Sequence, residues 1–207
     1  MEIWERKISN MLNSVSRQFG NPHGVLGEIV GYILAFNNRD RTQWLISEMN
    51  VKPEDEILEI GCGPGAAIKS ISSVLTRGSV TGIDISEVMT RQALKRNAVE
   101  VQSGKVRLIL GTVDDLNKKE RFDKIFGINV HIFWKNPVEE IIKLKSFLKD
   151  TGQLILALQP RFAKKDEDVI KEAEKTKEYY RKAGIKIVRS GILPMKPQAV
   201  FYVAGIK

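Results

Sequence analysis

The spacing of hydrophobic residues changes near residue 50. In the first fifty residues, apolar side chains recur at intervals of three and four positions, which is the spacing of one face of a helix. The three apolar faces are Trp4, Ile8, Met11, Val15 and Phe19; Leu26, Ile29, Val30, Ile33 and Leu34; and Trp44, Leu45 and Met49. Three helices are therefore predicted before residue 50, with a break at the sequence GNPHG.

From Glu54 onward, short runs of apolar and β-branched residues alternate with amphipathic stretches. The runs EILEI, SVTGIDI, KVRLIL, FDKIFGINV and GQLILAL predict five strands. Helices are predicted between them; Ser86 can cap one helix, and Asn136 followed by Pro137 is typical of the start of another. The last two runs, KIVRSGIL and AVFYVAGI, are joined by only a few residues, so these strands must be antiparallel.

Strands that alternate with helices form a parallel sheet that is covered by helices on both faces. The sequence therefore predicts an α/β fold with seven strands, mostly parallel, and one antiparallel strand near the edge. We expect an N-terminal helical lid over residues 1–50 and a single globular unit over residues 51–207.

Composition limits the classes of partner. A formal net charge of +8 permits nucleic acid or anionic membranes, but the densest charged run, residues 164–182, mixes both signs as a solvated helix face does. One cysteine and two histidines, His23 and His131, disfavour a disulfide and a metal site, so no metal is expected. No apolar stretch approaches the roughly 18 residues of a membrane span, and no apolar signal block opens the chain, so we expect a cytoplasmic protein.

A glycine-rich turn, residues 61–65 (GCGPG), follows the first predicted strand. Such a turn lets a ligand pack against bare backbone at the start of a helix. Asp84 ends the second strand 23 residues after Gly61, where a carboxylate can accept hydrogen bonds from the ribose hydroxyls of a nucleoside. The glycine spacing differs from the Gly-x-Gly-x-x-Gly of dinucleotide sites. Glu59 would repel a pyrophosphate, whereas an ammonium or sulfonium group would be tolerated beside it.

Four motifs, in this order, resemble those of the class I S-adenosylmethionine-dependent methyltransferases: ILEIGCGPG, VTGIDIS, LILGTVDDL and FDKIFGINVHIFW. The resemblance covers about residues 50–207, and the N-terminal part is more loosely similar to the lid helices of small-molecule, quinone-biosynthesis-type members. It implies a Rossmann-like doubly wound sheet with strand order 3-2-1-4-5-7-6. It also implies S-adenosyl-L-methionine as the methyl donor and S-adenosyl-L-homocysteine as the product.

The cofactor-binding residues implied by this resemblance lie at the ends of the predicted strands. They are Glu59, Gly61, Cys62 and Gly63 around the methionine moiety, Asp84 at the ribose, Ile85 and Met89 at the adenine, Thr112 and Val113 after the third strand, and Asn129 and Val130 beneath the sulfonium. The family usually has an aspartate where this chain has Thr112. The resemblance therefore leaves two groups for the adenine amino group, the Thr112 hydroxyl and the carboxylate of Asp114.

Candidates for catalysis and acceptor binding follow the fourth and fifth strands. His131 could take a proton from an acceptor hydroxyl or amine, or it could be a packed histidine. Trp134 could wall an acceptor pocket, and Arg161 could bind an anionic acceptor. In the lid segment, Asn37, Asn38, Arg39 and Arg41 could contact either ligand, and Asn38 is the candidate there for binding the acceptor.

The favoured function is direct in-line methyl transfer to a small organic acceptor, for which alignment matters more than a catalytic signature. A nucleic-acid methyltransferase is compatible with the charge, although the chain shows no appended binding domain and no Asn-Pro-Pro-Tyr motif. An NAD-dependent oxidoreductase is disfavoured by the glycine spacing. A non-catalytic S-adenosylmethionine-binding protein stays open because of Thr112, and the oligomeric state, monomer or homodimer, is not predicted.

Overall fold

The computed structural model describes residues 39–207, which contain one mixed sheet. Its strands are β1 (Glu56–Ile60), β2 (Ser79–Asp84), β3 (Val106–Leu110), β4 (Phe122–Ile128), β5 (Leu148–Leu158), β6 (Lys186–Leu193) and β7 (Val200–Ile206). They lie in the order β3-β2-β1-β4-β5-β7-β6. β7 pairs antiparallel with β5 and β6, whereas the pairs among β1 to β5 are parallel. The predicted fold class and strand order are confirmed.

Helices cover both faces of the sheet. They are α1 (Arg39–Met49), α2 (Ala66–Ser72), α3 (Glu87–Arg96), α4 (Ala98–Gln102), α5 (Pro137–Ser146) and α6 (Asp166–Lys182). Ser86 caps α3 as predicted, since its hydroxyl accepts a hydrogen bond from the backbone N–H of Met89 at 3.4 Å. Asn136 is the N-cap residue of α5 and Pro137 opens the helix, but the Asn136 side chain forms no capping hydrogen bond.

β5 begins four residues earlier than the sequence predicts, at Leu148 rather than at Gly152. Phe122 pairs with Leu148 and Lys124 pairs with Gln153, so the intervening residues form an irregularity in the ladder. Their sequence, KDTG (residues 149–152), is typical of a turn, so the sequence pattern does not predict that Leu148 before it belongs to the strand.

α1 and α2 share a hydrophobic core with one face of the sheet. Leu45 and Met49 of α1 are buried together with Ile57 of β1 and with Ile68 and Ile71 of α2. The predicted helix around Trp44 to Met49 is thus present. The two helices predicted before it lie outside the described residues, and the division of the chain at residue 50 stays a prediction.

α5 and α6 cover the opposite face. The hydroxyl of the fully buried Tyr180 donates toward the carbonyl oxygens of Leu154 and Val203, at 3.2 and 3.1 Å, which fastens α6 across β5 and β7. No helix within residues 39–207 is both long and apolar enough to cross a membrane.

The strand order reverses between β1 and β4. From β1 the chain proceeds to β2 on one side, whereas β4 pairs with β1 on the other side. In open α/β sheets the crevice for a ligand lies beyond the carboxyl ends of the strands at this reversal. The glycine-rich turn after β1 and the segment after β4 therefore meet there.

Candidate active site

A cleft of about 730 Å³ opens at the carboxyl edge of the sheet. Its lining includes Glu59, Gly61, Cys62, Gly63, Asp84, Ile85, Met89, Thr112, Val113, Asn129, Val130, Trp134 and Arg161. The structure thus brings together all the residues that the sequence predicts at the cofactor, and two of the three predicted at the acceptor. The third, Asn38, lies outside the described residues.

The turn after β1 requires glycine at two positions for different reasons. Gly61 and Gly63 have φ of +65° and +52°, a region that other residues rarely adopt. A Cβ at Gly61 would overlap the Cγ1 atom of Val130, so this glycine lets the turn pack against the end of β4. A Cβ at Gly63 would meet nothing within 4 Å. Because Gly63 also lines the cleft, its missing side chain leaves space for a ligand.

The carboxylate of Asp84 is held by backbone groups on both of its oxygens. Its Oδ2 accepts a hydrogen bond from the N–H of Gly63 at 2.8 Å, and its Oδ1 accepts one from the N–H of Ser86 at 2.9 Å. Burial raises the pKa of Asp84, and the two backbone hydrogen bonds oppose that shift. Each oxygen keeps a further lone pair for a hydrogen-bond donor in the cleft.

Glu59 is a buried carboxyl group with an unused acceptor. It is 4% exposed, and its Oε2 atom has no hydrogen-bond partner in the described structure. Burial, and then the nearby charge of Asp84, raise the pKa of Glu59 well above its usual value. A buried polar atom without a partner is costly, so this position favours a ligand that brings a cation or a hydrogen-bond donor.

Cys62 is a small buried side chain near these two carboxylates. Burial, and then the charges of Glu59 and Asp84, raise the pKa of its thiol well above the usual value. The thiol therefore stays protonated, which fits the packing interpretation and not a nucleophile.

Arg41 of α1 also lines the cleft. It is 1% exposed, its Nη1 donates to the Oε1 of Gln159 at 2.8 Å, and its Nε has no partner in the described structure. Burial, and then the charge of Arg161, lower its pKa to about 10. In the sequence, Arg41 is one of several polar residues in its segment. Its position on α1 is what directs its side chain into the cleft.

Thr112 has a structural task at the end of β3. Its hydroxyl accepts a hydrogen bond from the N–H of Asp114 at 3.3 Å, and its own N–H donates to the Oδ2 of Asp115 at 2.8 Å. Asp114, the alternative partner for an adenine, forms an ion pair with Lys143 of α5 at 2.9 Å. Both Thr112 and Asp114 line the cleft, but both already have partners within the protein.

His131 is not among the side chains that line the cleft. It is 4% exposed, its Nε2 lies 3.3 Å from the Oγ1 of Thr176 on α6, and its ring packs beside Trp134 and Phe201. Burial, and then the charge of Lys175, lower its pKa to about 4. The short 3-10 turn that begins at His131 directs this ring inward, so the hypothesis of a proton acceptor has no support in this geometry.

Exposed apolar side chains complete the lining. Ile132 is 45% exposed, and Phe133 and Phe162 are each 60% exposed. Trp134 is half-buried and packs against the core as well as lining the cleft. Phe162 was missed by the sequence interpretation, because a single aromatic residue after a strand carries no pattern.

Comparison with known proteins agrees with this architecture. A family model described as a methyltransferase domain matches residues 57–152. An uncharacterized methyltransferase of Bacillus subtilis, YdaC, is 32% identical over 136 residues, which are 65% of this chain and 73% of that protein. A malonyl-[acyl-carrier protein] O-methyltransferase of Priestia megaterium is 31% identical over 105 residues, 50% of this chain and 36% of that protein.

Among solved structures, the magnesium protoporphyrin IX methyltransferase of Synechocystis PCC 6803 with bound S-adenosylhomocysteine has the same fold. The TM-score is 0.63 at 19% identity, over 96% of this chain and 95% of that chain. The glycine turn, the strand-end carboxylates, the strand order and these relatives lead to one conclusion. The chain belongs to the class I S-adenosylmethionine-dependent methyltransferases and uses S-adenosylmethionine as its cofactor.

Proposed function

We propose that this methyltransferase transfers its methyl group to a small organic acceptor that enters the same cleft as the donor. The observation that carries the proposal is the mixed lining of one cleft of about 730 Å³. It combines the carboxylates Glu59 and Asp84 with the exposed side chains of Ile132, Phe133 and Phe162. Sites of roughly 300–1,000 Å³ with an apolar lining and a few polar groups are typical of small ligands.

The residues of the cleft fit S-adenosylmethionine group by group. The unpartnered Oε2 of Glu59 suits the ammonium group, and the carboxylate of Asp84, oriented by two backbone N–H groups, suits the ribose hydroxyls. The unpartnered Nε of the buried Arg41 suits the carboxylate of the methionine moiety. The open space at Gly63 leaves room for a ligand beside the turn. We assign these roles on that complementarity.

S-adenosylmethionine supplies a methyl group that is already activated by the sulfonium to which it is attached. The main tasks of the protein are therefore to align the acceptor atom with the methyl group and to exclude water, since the donor needs little further activation. Asp84 and Arg41 would fix the position of the donor, and an acceptor that covers Ile132, Phe133 and Trp134 would displace water from these apolar side chains. A base is needed only when the acceptor must lose a proton, and we assign no residue to that task.

A small acceptor is favoured over nucleic acid by the chemistry of the lining. Recognition of nucleic acid relies on cationic side chains that are free to contact phosphates. At the cleft, Lys143 is engaged by Asp114 and Arg41 by Gln159, which leaves Arg161 as the one unpaired cation of the described lining, beside exposed apolar side chains. One guanidinium can hold a single anionic group, whereas a nucleic-acid backbone is bound by several cations. We also propose that residues 1–50 close over the donor and shape the acceptor side; α1 brings Arg41, which we assign to the donor, and Thr42 to the cleft. A cytoplasmic location and a monomeric or homodimeric state are part of the proposal.

Calorimetric titration with S-adenosylmethionine, S-adenosylhomocysteine and NAD is the first test. Both sulfur nucleosides should bind and NAD should not. Transfer of a radiolabelled methyl group is then measured to pools of small phenols, quinols and amines, and separately to tRNA and to duplex DNA. Label in a small molecule, absent with an Asp84→Ala variant, is the expected result. Label in nucleic acid alone would overturn the proposal of a small acceptor.

A further inference from the structure

The cleft contains two guanidinium groups and no carboxylate that neutralises either. Arg41 and Arg161 both line it, and within the described residues no acidic side chain forms an ion pair with either of them. Burial, and then the charge of Arg161, lower the pKa of Arg41. The two positive charges repel each other in the free protein, and anionic groups of a ligand would reduce this repulsion.

The donor can supply one of these anions. S-adenosylmethionine has a single carboxylate, together with two cationic groups, its ammonium and its sulfonium. Arg41 is the more suitable partner for that carboxylate because it is buried, its Nε is unpartnered and its Nη1 is fixed by Gln159. Gln159 is itself held, since its Nε2 donates to the carbonyl oxygen of Gln198 at 2.8 Å.

Within residues 39–207, Arg161 is then left without a partner, in a cleft whose proposed donor carries a net positive charge. It follows the carboxyl end of β5 by three residues, and the adjacent Phe162 is 60% exposed. Phe133 and Ile132, 60% and 45% exposed, line the same cleft. The cleft that Arg161 lines therefore also exposes apolar side chains, which suits an amphipathic ligand.

We propose that the methyl acceptor carries an anionic group, a carboxylate or a phosphate, that pairs with Arg161, and an apolar body that covers Ile132, Phe133 and Phe162. This rests on the proposed function and names the chemical class of its acceptor. Both anions match the planar fork of a guanidinium, which can donate two parallel hydrogen bonds to either.

Fragment binding tests the proposal on the full chain saturated with S-adenosylhomocysteine. The probes are 3-phenylpropanoate and phenyl phosphate, each compared with a neutral counterpart, 3-phenylpropanamide and phenol, by ligand-observed NMR or calorimetry. At least one anion should bind about tenfold more tightly than its neutral counterpart, as a charge-assisted pair predicts. Which anion binds distinguishes a carboxylate acceptor from a phosphate acceptor.

Three variants locate the effect. Arg161→Gln should remove the preference for the anion and leave the affinity for S-adenosylhomocysteine unchanged. Arg41→Gln should instead lower the affinity for S-adenosylhomocysteine. The control is Arg77→Gln, an exposed arginine that pairs with Glu54 and does not line the cleft. Equal binding of anionic and neutral fragments, no binding of either anion, or a preference that survives Arg161→Gln would overturn the inference. A wild-type protein that fails to bind S-adenosylhomocysteine would instead count against the proposed donor site.

Discussion

The backbone N–H of Gly63 donates a hydrogen bond to the Oδ2 of Asp84 at 2.8 Å. This bond joins the turn after β1 to the end of β2, so the residue that leaves space for the ligand also orients the carboxylate beside it. The two parts of the donor site are therefore built as one unit, and a change in either should be felt by the other.

Replacing Asp84 by Asn tests the ribose assignment. The amide has the same shape but has lost one acceptor oxygen, so it cannot accept from both backbone N–H groups and also from the ribose hydroxyls. The affinity for S-adenosylhomocysteine should fall by about a hundredfold, since hydrogen bonds to a charged group contribute about 1.5–3 kcal/mol. Calorimetry measures it, with Asp150→Asn as a control whose side chain is 99% exposed. An affinity for the Asp84→Asn variant equal to the wild type would exclude the assignment.

A matched pair of glycine substitutions tests the space at Gly63. Gly63 and Gly104 both have positive φ, +52° and +76°, and at both an added Cβ meets nothing within 4 Å. Ala at either position should lower the free energy of unfolding by about 1–2 kcal/mol through backbone strain alone. Only Gly63→Ala should also weaken S-adenosylhomocysteine, because Gly104 does not line the cleft. Equal ligand affinities in the two variants would show that the space at Gly63 is not used by the donor.

The raised pKa of Glu59 gives the donor site a pH dependence. Holding an ammonium group requires the ionised carboxylate, so the affinity for S-adenosylhomocysteine should increase as pH rises through the raised pKa of the free protein and then level off. The stability of the free protein should change in the opposite direction. Because ionising the buried Glu59 is unfavourable, the free energy of unfolding should fall as pH rises through that raised pKa. Calorimetric titrations between about pH 5 and pH 8 should show that the affinity for S-adenosylhomocysteine depends less on pH in Glu59→Gln than in the wild type.

His131 should matter for stability in acid and not for donor binding. Its pKa is lowered from 6.5 to about 4, so the unfolded chain takes up a proton before the folded one does, and stability falls as pH drops through this interval. Urea unfolding at about pH 7.5 and pH 4.5 should show a loss about 2–3 kcal/mol greater in the wild type than in His131→Gln. Affinity for S-adenosylhomocysteine at neutral pH should be the same in both. A His131→Gln variant that binds the donor poorly would contradict the packed role.

The strand ends were predictable because they depend on local patterns. Alternating apolar residues predict where each strand stops, and in a parallel sheet those stops meet at one edge. Gly61 and Asp84 could therefore be assigned to one site without knowledge of their distances, whereas the role of Asn129 followed from the resemblance of the motifs. The order of the strands followed from the resemblance of the motifs and not from the patterns themselves.

The direction of single side chains was not predictable in the same way. His131 follows β4 and could have faced the cleft, but a 3-10 turn places it against Thr176 and leaves Phe133 exposed instead. Arg41 differs from its polar neighbours only by the turn of α1, which points it at Gln159. Contacts between residues more than 100 positions apart leave no periodic trace in one sequence.

α1 has its apolar side chains in the protein core and its Arg41 in the cleft. A chimaeric enzyme, built to exchange the N-terminal segment for that of a relative with another acceptor, should therefore be joined before residue 39. A junction at residue 50 would remove Leu45 and Met49 from the core and Arg41 from the cleft in one cut. The segment that can be exchanged between relatives therefore ends before residue 39, and it is shorter than the predicted lid of residues 1–50.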